Sequence, residues 1–83
     1  MNLNKKKEVR SLSEIAIEIR EDWSNVNYAA KPYLSAMLTL DGISDKFMLD
    51  SGRSVVLYFL SNASSWRGQK AREIKLELKK MIT

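Results

Sequence analysis

Three carboxylates, Asp41, Asp45 and Asp50, lie within one ten-residue stretch, and a Ser51-Gly52 pair follows directly. Clustered carboxylates are a common way to hold a divalent cation. A calcium loop, however, alternates its oxygen ligands and closes on a more distant glutamate, a spacing this stretch does not have. Aspartates at helix boundaries also accept backbone N–H groups and suit the positive end of the helix dipole, and capping is the role expected of these three. Ser51 has no neighbouring base to activate it and is not read as a nucleophile. The 83-residue chain contains no His and no Cys. Imidazole acid–base catalysis, thiol nucleophiles, disulfides and the usual zinc ligand sets are therefore excluded. The chain reads as non-enzymatic, with no cofactor and no metal expected.

The remaining chemistry is cationic. The chain carries 14 Lys and Arg against 10 Asp and Glu, a net charge of +4. Residues 1–10 hold Lys5, Lys6, Lys7 and Arg10 against Glu8, for +3; residues 11–65 come to −3; residues 66–83 come to +4. Two basic ends thus flank an acidic middle. A nucleic acid would meet Lys5, Lys6 and Lys7 at one end and Arg67, Arg72, Lys75, Lys79 and Lys80 at the other, through salt-sensitive, sequence-blind phosphate contacts. The plainer reading of the same charges is a solvated surface.

The elements that must carry these groups follow from apolar spacing. Residues 1–10 have little apolar content and read as a flexible basic arm, with a single helical domain over 11–83. Ser11 and Glu14 have capping-box spacing, and Leu12, Ile15, Ile19 and Trp23 then place one apolar stripe on a helix over about 12–23. Tyr28 to Asp41 gives a second helical pattern that starts near Tyr28 or at Pro32, carries Tyr33, Leu34, Met37, Leu38 and Leu40, and stops at Gly42. Residues 43–50 fit either a short helical turn or a loop pinned by Phe47, Met48 and Leu49. The run Ser54 to Ser61 is apolar on all sides, and periodicity does not separate helix from strand there. Cap chemistry at Asp50 and Ser51, length, and the lack of a second strand-like segment favour a buried third helix over 51–62. Ser64 or Ser65 is the expected cap of a last helix, Trp66 to Met81, whose apolar arc is Ala71, Ile74, Leu78, Met81 and Ile82. Leu76 falls on its outer face. The expected fold is all-α, with four helices arranged around a central third one.

Trp23 and Trp66 stand at a helix end and a helix start, where partly buried plugs are expected. A helix-turn-helix reading of the last two helices is weak, because the third is too apolar to cross a phosphate backbone. No apolar run reaches the roughly 20 residues of a membrane span, and the start lacks a signal peptide's organisation, so a cytoplasmic protein with no membrane partner is expected.

The stretches Asn27-Tyr28-Ala29-Ala30-Lys31-Pro32-Tyr33-Leu34-Ser35-Ala36-Met37, Asp50-Ser51-Gly52 and Tyr58-Phe59-Leu60-Ser61-Asn62-Ala63-Ser64-Ser65-Trp66-Arg67-Gly68 carry a resemblance. Over residues 11–82 the chain resembles small helical proteins of no assigned activity carried by phages and integrative elements of Gram-positive bacteria. That resemblance implies a bacterial cytoplasmic setting and a mobile-element origin, and supplies no mechanism or site residue. The leading functional expectation is a protein-binding module acting through a surface that includes Trp66 and Leu76. The alternative is nucleic-acid binding through the arm and the last helix. A homodimer covering Met37, Phe47, Met48 and Leu49 is a further expectation.

Overall fold

Ser11 opens the first helix as its spacing to Glu14 predicts. Its Oγ accepts from the Glu14 backbone N–H at 3.1 Å, while the Glu14 carboxylate accepts from the Ser11 N–H at 3.1 Å. The donors between them, the N–H groups of Leu12 and Ser13, donate to the carbonyls of Asp41 and Leu40 at 2.8 and 2.9 Å. All of the orphan donors at this helix start named here are thus satisfied within the fold. The computed structural model describes residues 9–83, so most of the flexible arm expected over 1–10, with Lys5, Lys6 and Lys7, lies outside them. Helix α1 spans Leu12–Asp22, α2 Lys31–Met37, α3 Gly52–Ser61 and α4 Gln69–Ile82. A two-stranded antiparallel hairpin, β1 (Lys46–Phe47) and β2 (Asp50–Ser51), stands between α2 and α3. The chain is a single small domain, mostly helical, and the hairpin corrects the purely all-α expectation.

The segment between α2 and α3 differs most from the sequence reading. Helix α2 stops at Met37 rather than near Gly42, because Thr39 Oγ1 donates to the Ala36 carbonyl at 2.8 Å and the chain tightens into i→i+3 bonds from Thr39 and Leu40. Residues 40–45 then cap two helices at once. The Leu40 and Asp41 carbonyls serve α1, and those of Asp45 and Ile43 accept from Gly52 and Arg53 at the start of α3, at 2.7 and 2.9 Å. Asp45, expected as a helix cap, instead braces the loop after α2, its Oδ2 accepting from the N–H groups of Asp41 and Gly42 at 2.9 and 3.1 Å. Ser51 caps α3 as expected, its Oγ accepting from Ser54 N–H at 3.1 Å.

The ambiguous run at 54–61 is helical. Val55, Val56 and Phe59 are buried between the other elements, but Leu57 and Tyr58 are about half exposed, so α3 is not buried all round. Tyr58 leans on Tyr33 of α2, with ring centroids 5.5 Å apart. Helix α1 contributes Leu12, Ile15, Ala16 and Ile19 to the core, and α4 contributes Ala71, Ile74, Leu78 and Ile82. These are the stripes that the 3.6-residue period selects. Around them the link 62–68 holds Ala63 and Trp66 in the core.

That link moves the start of α4. Gly68, at φ 112°, is its N-cap, and no side chain caps it. Ser64 and Ser65 therefore do not fill the expected cap role, and Trp66 precedes the helix. Trp66 N–H closes a turn on the Ala63 carbonyl at 3.0 Å, which carries the indole inward ahead of the helix, and glycine accepts the positive φ that turns this chain into the helix.

Candidate functional site

Trp66, one of the two residues expected on an interaction surface, belongs to the core at 2% exposure. Its ring stacks on Trp23, with centroids 5.8 Å apart and planes 10° apart, and both meet Phe59 edge-on. The indole Nε1–H, which would be orphaned by burial, donates to Asp22 Oδ2 at 2.9 Å. Lys75 closes the cluster from outside, its Nζ donating to the Trp66 carbonyl at 2.7 Å and lying 5.8 Å from the ring centroid. Burial first, then the charges of Lys79 and Arg67, push this ammonium below its ordinary value of 10.5. Lys75 is thus spent on the fold, and Trp66 presents no surface.

The other cations divide in a similar way. Lys70 sits 3.9 Å from Glu18, and Gln69 Nε2 donates to Glu73 at 3.1 Å, so the first turn of α4, where a recognition helix would read bases, is partly engaged. Arg10 makes a bidentate pair with Glu77, at 3.0 and 2.7 Å, and reaches Glu18 at 2.9 Å. The folded unit therefore takes in Arg10, one residue ahead of the boundary read from sequence. Arg67, Arg72, Lys79 and Lys80 are exposed and enter no ion pair among the described residues. On α4, Leu76 is 56% exposed and lies between Arg72 and Lys80, four residues to either side. Val9, from which the chain continues toward Lys7, borders a hollow shared with Lys80 and Met81.

The most exposed apolar pair is elsewhere. Met48 and Leu49 form the two-residue loop of the hairpin, 83% and 98% exposed. Met48 has φ 58°, the only positive φ of a non-glycine among the described residues. Positive φ at the first loop residue is the geometry of a type II′ turn, where glycine is preferred because a Cβ crowds the backbone. Beneath the tip, Phe47 packs against the core and pairs across the strands with Asp50, while Lys46 pairs with Ser51. The hairpin base is fixed by the double cap of residues 40–45 and its tip is bare. Sequence alone offers Met48 and Leu49 as part of a short helical turn, as pins of a loop, or as dimer surface. Its one usable signal was two adjacent large apolar residues, between Lys46 and Asp50, in a stretch without helical or strand period.

The chain matches no protein-family model, no curated protein and no solved structure. No described helix is long and apolar enough to cross a membrane.

Proposed function

We propose that this chain is a non-enzymatic protein-binding module whose hairpin tip seats in an apolar recess of a partner protein. The observation that carries this reading is Met48. Its side chain is exposed and its backbone is held where glycine would be less strained, so the fold gains nothing from methionine at this position. An apolar pair displayed on a rigid base supports the same reading, because preorganisation lowers the ordering cost of binding. The absence of His and Cys from the sequence supports a role without catalysis. The resemblance over 11–82 supports a setting as an accessory protein of a bacterial mobile element, in the cytoplasm.

The test is a photo-crosslinking amino acid placed at Leu49 and, as a control, at exposed Ser65, in cells that express the protein. One discrete adduct from position 49, missing at 65 and lost with Met48→Ser, is the expected result. Adducts of the same mass from both positions, or none from 49, refute the reading.

The exposed cations of α4 favour a second reading, nucleic-acid binding through Arg72, Lys79 and Lys80. Three phosphate contacts would weaken duplex binding about 40-fold between 50 and 200 mM salt. Fluorescence anisotropy at the two salts measures this, and a salt-independent signal would exclude it.

A further inference from the structure

The C-terminal turn of α1, the link behind it and one side of α2 enclose a cleft of about 320 Å³, away from the hairpin. Lys31, Leu34, Ser35 and Leu38 lie at i, i+3, i+4 and i+7 along α2 and its cap, so a single helical stripe forms one wall. Leu34 and Leu38, with Val26 from the link, make an apolar floor. Arg20 and Lys31 stand exposed at the rim on opposite walls.

These two cations differ from those that tie the fold together. Arg10 has two carboxylate partners and Lys75 a carbonyl, whereas Arg20 and Lys31 enter no ion pair or side-chain hydrogen bond among the described residues. Asp22, two residues after Arg20, is held by the Trp66 indole. The lining thus carries two positive charges and no acid. A small inorganic anion would leave the floor wet, and a neutral apolar molecule would leave the cations unused. An anionic head joined to an apolar body satisfies both, and a guanidinium suits a planar carboxylate through paired N–H donors. The volume lies at the small end of ligand pockets.

We infer that this cleft binds a small amphipathic carboxylate, its head between Arg20 and Lys31 and its body on Val26, Leu34 and Leu38. The same chemistry is offered by a free short-chain acid and by the apolar C-terminal residue of a peptide.

The experiment is a titration of the isotope-labelled protein followed by amide correlation spectra. The probes are hexanoate, hexanamide, acetate, and a tetrapeptide ending in leucine with its terminus free or amidated. Saturable shifts at residues 24–26 and 31–38 with hexanoate are expected. Hexanamide and acetate should bind at least about tenfold more weakly, as loss of one charge-assisted hydrogen bond or of the apolar contact requires. Arg20→Gln and Lys31→Gln should each weaken hexanoate by about tenfold while leaving distant resonances in place. Binding of the free-terminus peptide at least as tightly as hexanoate assigns the site to chain termini, and a silent peptide assigns it to free acids. Equal affinity for hexanamide, insensitivity to both substitutions, shifts centred on Met48 and Leu49, or no saturation would overturn the inference.

Discussion

Replacing Gly52 with alanine should destabilise the domain far more than a one-carbon change at a helix start ordinarily does. A Cβ at this position would overlap the carbonyl oxygen of Gly42 and lie 2.9 Å from Ile43 Cα. Both obstacles are main chain, so no side-chain rotation relieves them. Helix α3 must back away, and the two bonds that flank the contact, Gly52 N–H to Asp45 and Arg53 N–H to Ile43, must stretch from 2.7 and 2.9 Å. Weakening both costs about 1 kcal/mol each. Disturbing the Ser51 cap adds about 1 kcal/mol, and the better helix propensity of alanine returns about 1 kcal/mol, leaving a loss of about 2 kcal/mol. In a domain of this size that lowers Tm by roughly 8–16 °C. Thermal unfolding followed by circular dichroism at 222 nm reads the change. Gly42→Ala is the control, because a Cβ there meets nothing within 4 Å and its φ is not positive. A Gly52→Ala protein that melts within about 2 °C of the parent, or no less stable than Gly42→Ala, would refute the close approach of the two segments.

Met48→Gly should raise stability by up to about 1 kcal/mol in urea unfolding, since relief of positive φ exceeds the added chain entropy, and a lower midpoint would count against the turn geometry. Arg10, principally through its hydrogen bond, holds the Glu18 carboxyl below its ordinary value of 4.5. That contribution is present above pH 4.5 and lost as pH falls through the folded-state value, so Arg10→Ala should flatten the acid limb of the stability curve. An unchanged limb would show that the pairing contributes nothing. Lys75→Met keeps the stem over Trp66 and loses the carbonyl bond, and should cost about 1 kcal/mol, with Lys75→Ala costing more. Because the folded Lys75 binds its proton less tightly than the unfolded one, wild type should gain on Lys75→Met as pH rises toward 10.5, and a fixed difference would contradict the burial of this ammonium.

Helices α1 and α4 were legible because Leu12, Ile15 and Ile19, and Ala71, Ile74 and Leu78, repeat with the helical period and because a capping box depends on local spacing alone. The run at 54–61 yielded to length and cap chemistry, since its composition was silent on which side faces water. The hairpin was not legible. Its turn residues, Met48 and Leu49, have no turn chemistry, and its strands are too short to show alternation. What holds its base is that one short segment, 40–45, supplies separate carbonyls to the starts of both α1 and α3, a requirement set in three dimensions. The start of α4 was misplaced for a similar reason, because Ser64 and Ser65 look like caps until the burial of Trp66 draws the chain past them. Among the cations, charge counting found the exposed Arg72, Lys79 and Lys80 but did not distinguish them from Lys75, whose partner is a backbone carbonyl. Arg20 and Lys31 lie in a region of net negative charge, which hides them from a charge count.

Trp23 and Trp66 are the chain's only tryptophans, and they lie face to face, 5.8 Å apart. Two indoles so placed interact in their excited states, so the native fold should show a near-ultraviolet dichroism band that neither ring would produce alone. The pair joins the end of α1 to the link before α4, which makes the band an optical gauge of whether the C-terminal helix is docked. Because the gauge needs no label, helix docking can be followed in the unmodified protein, separately from the helical signal itself.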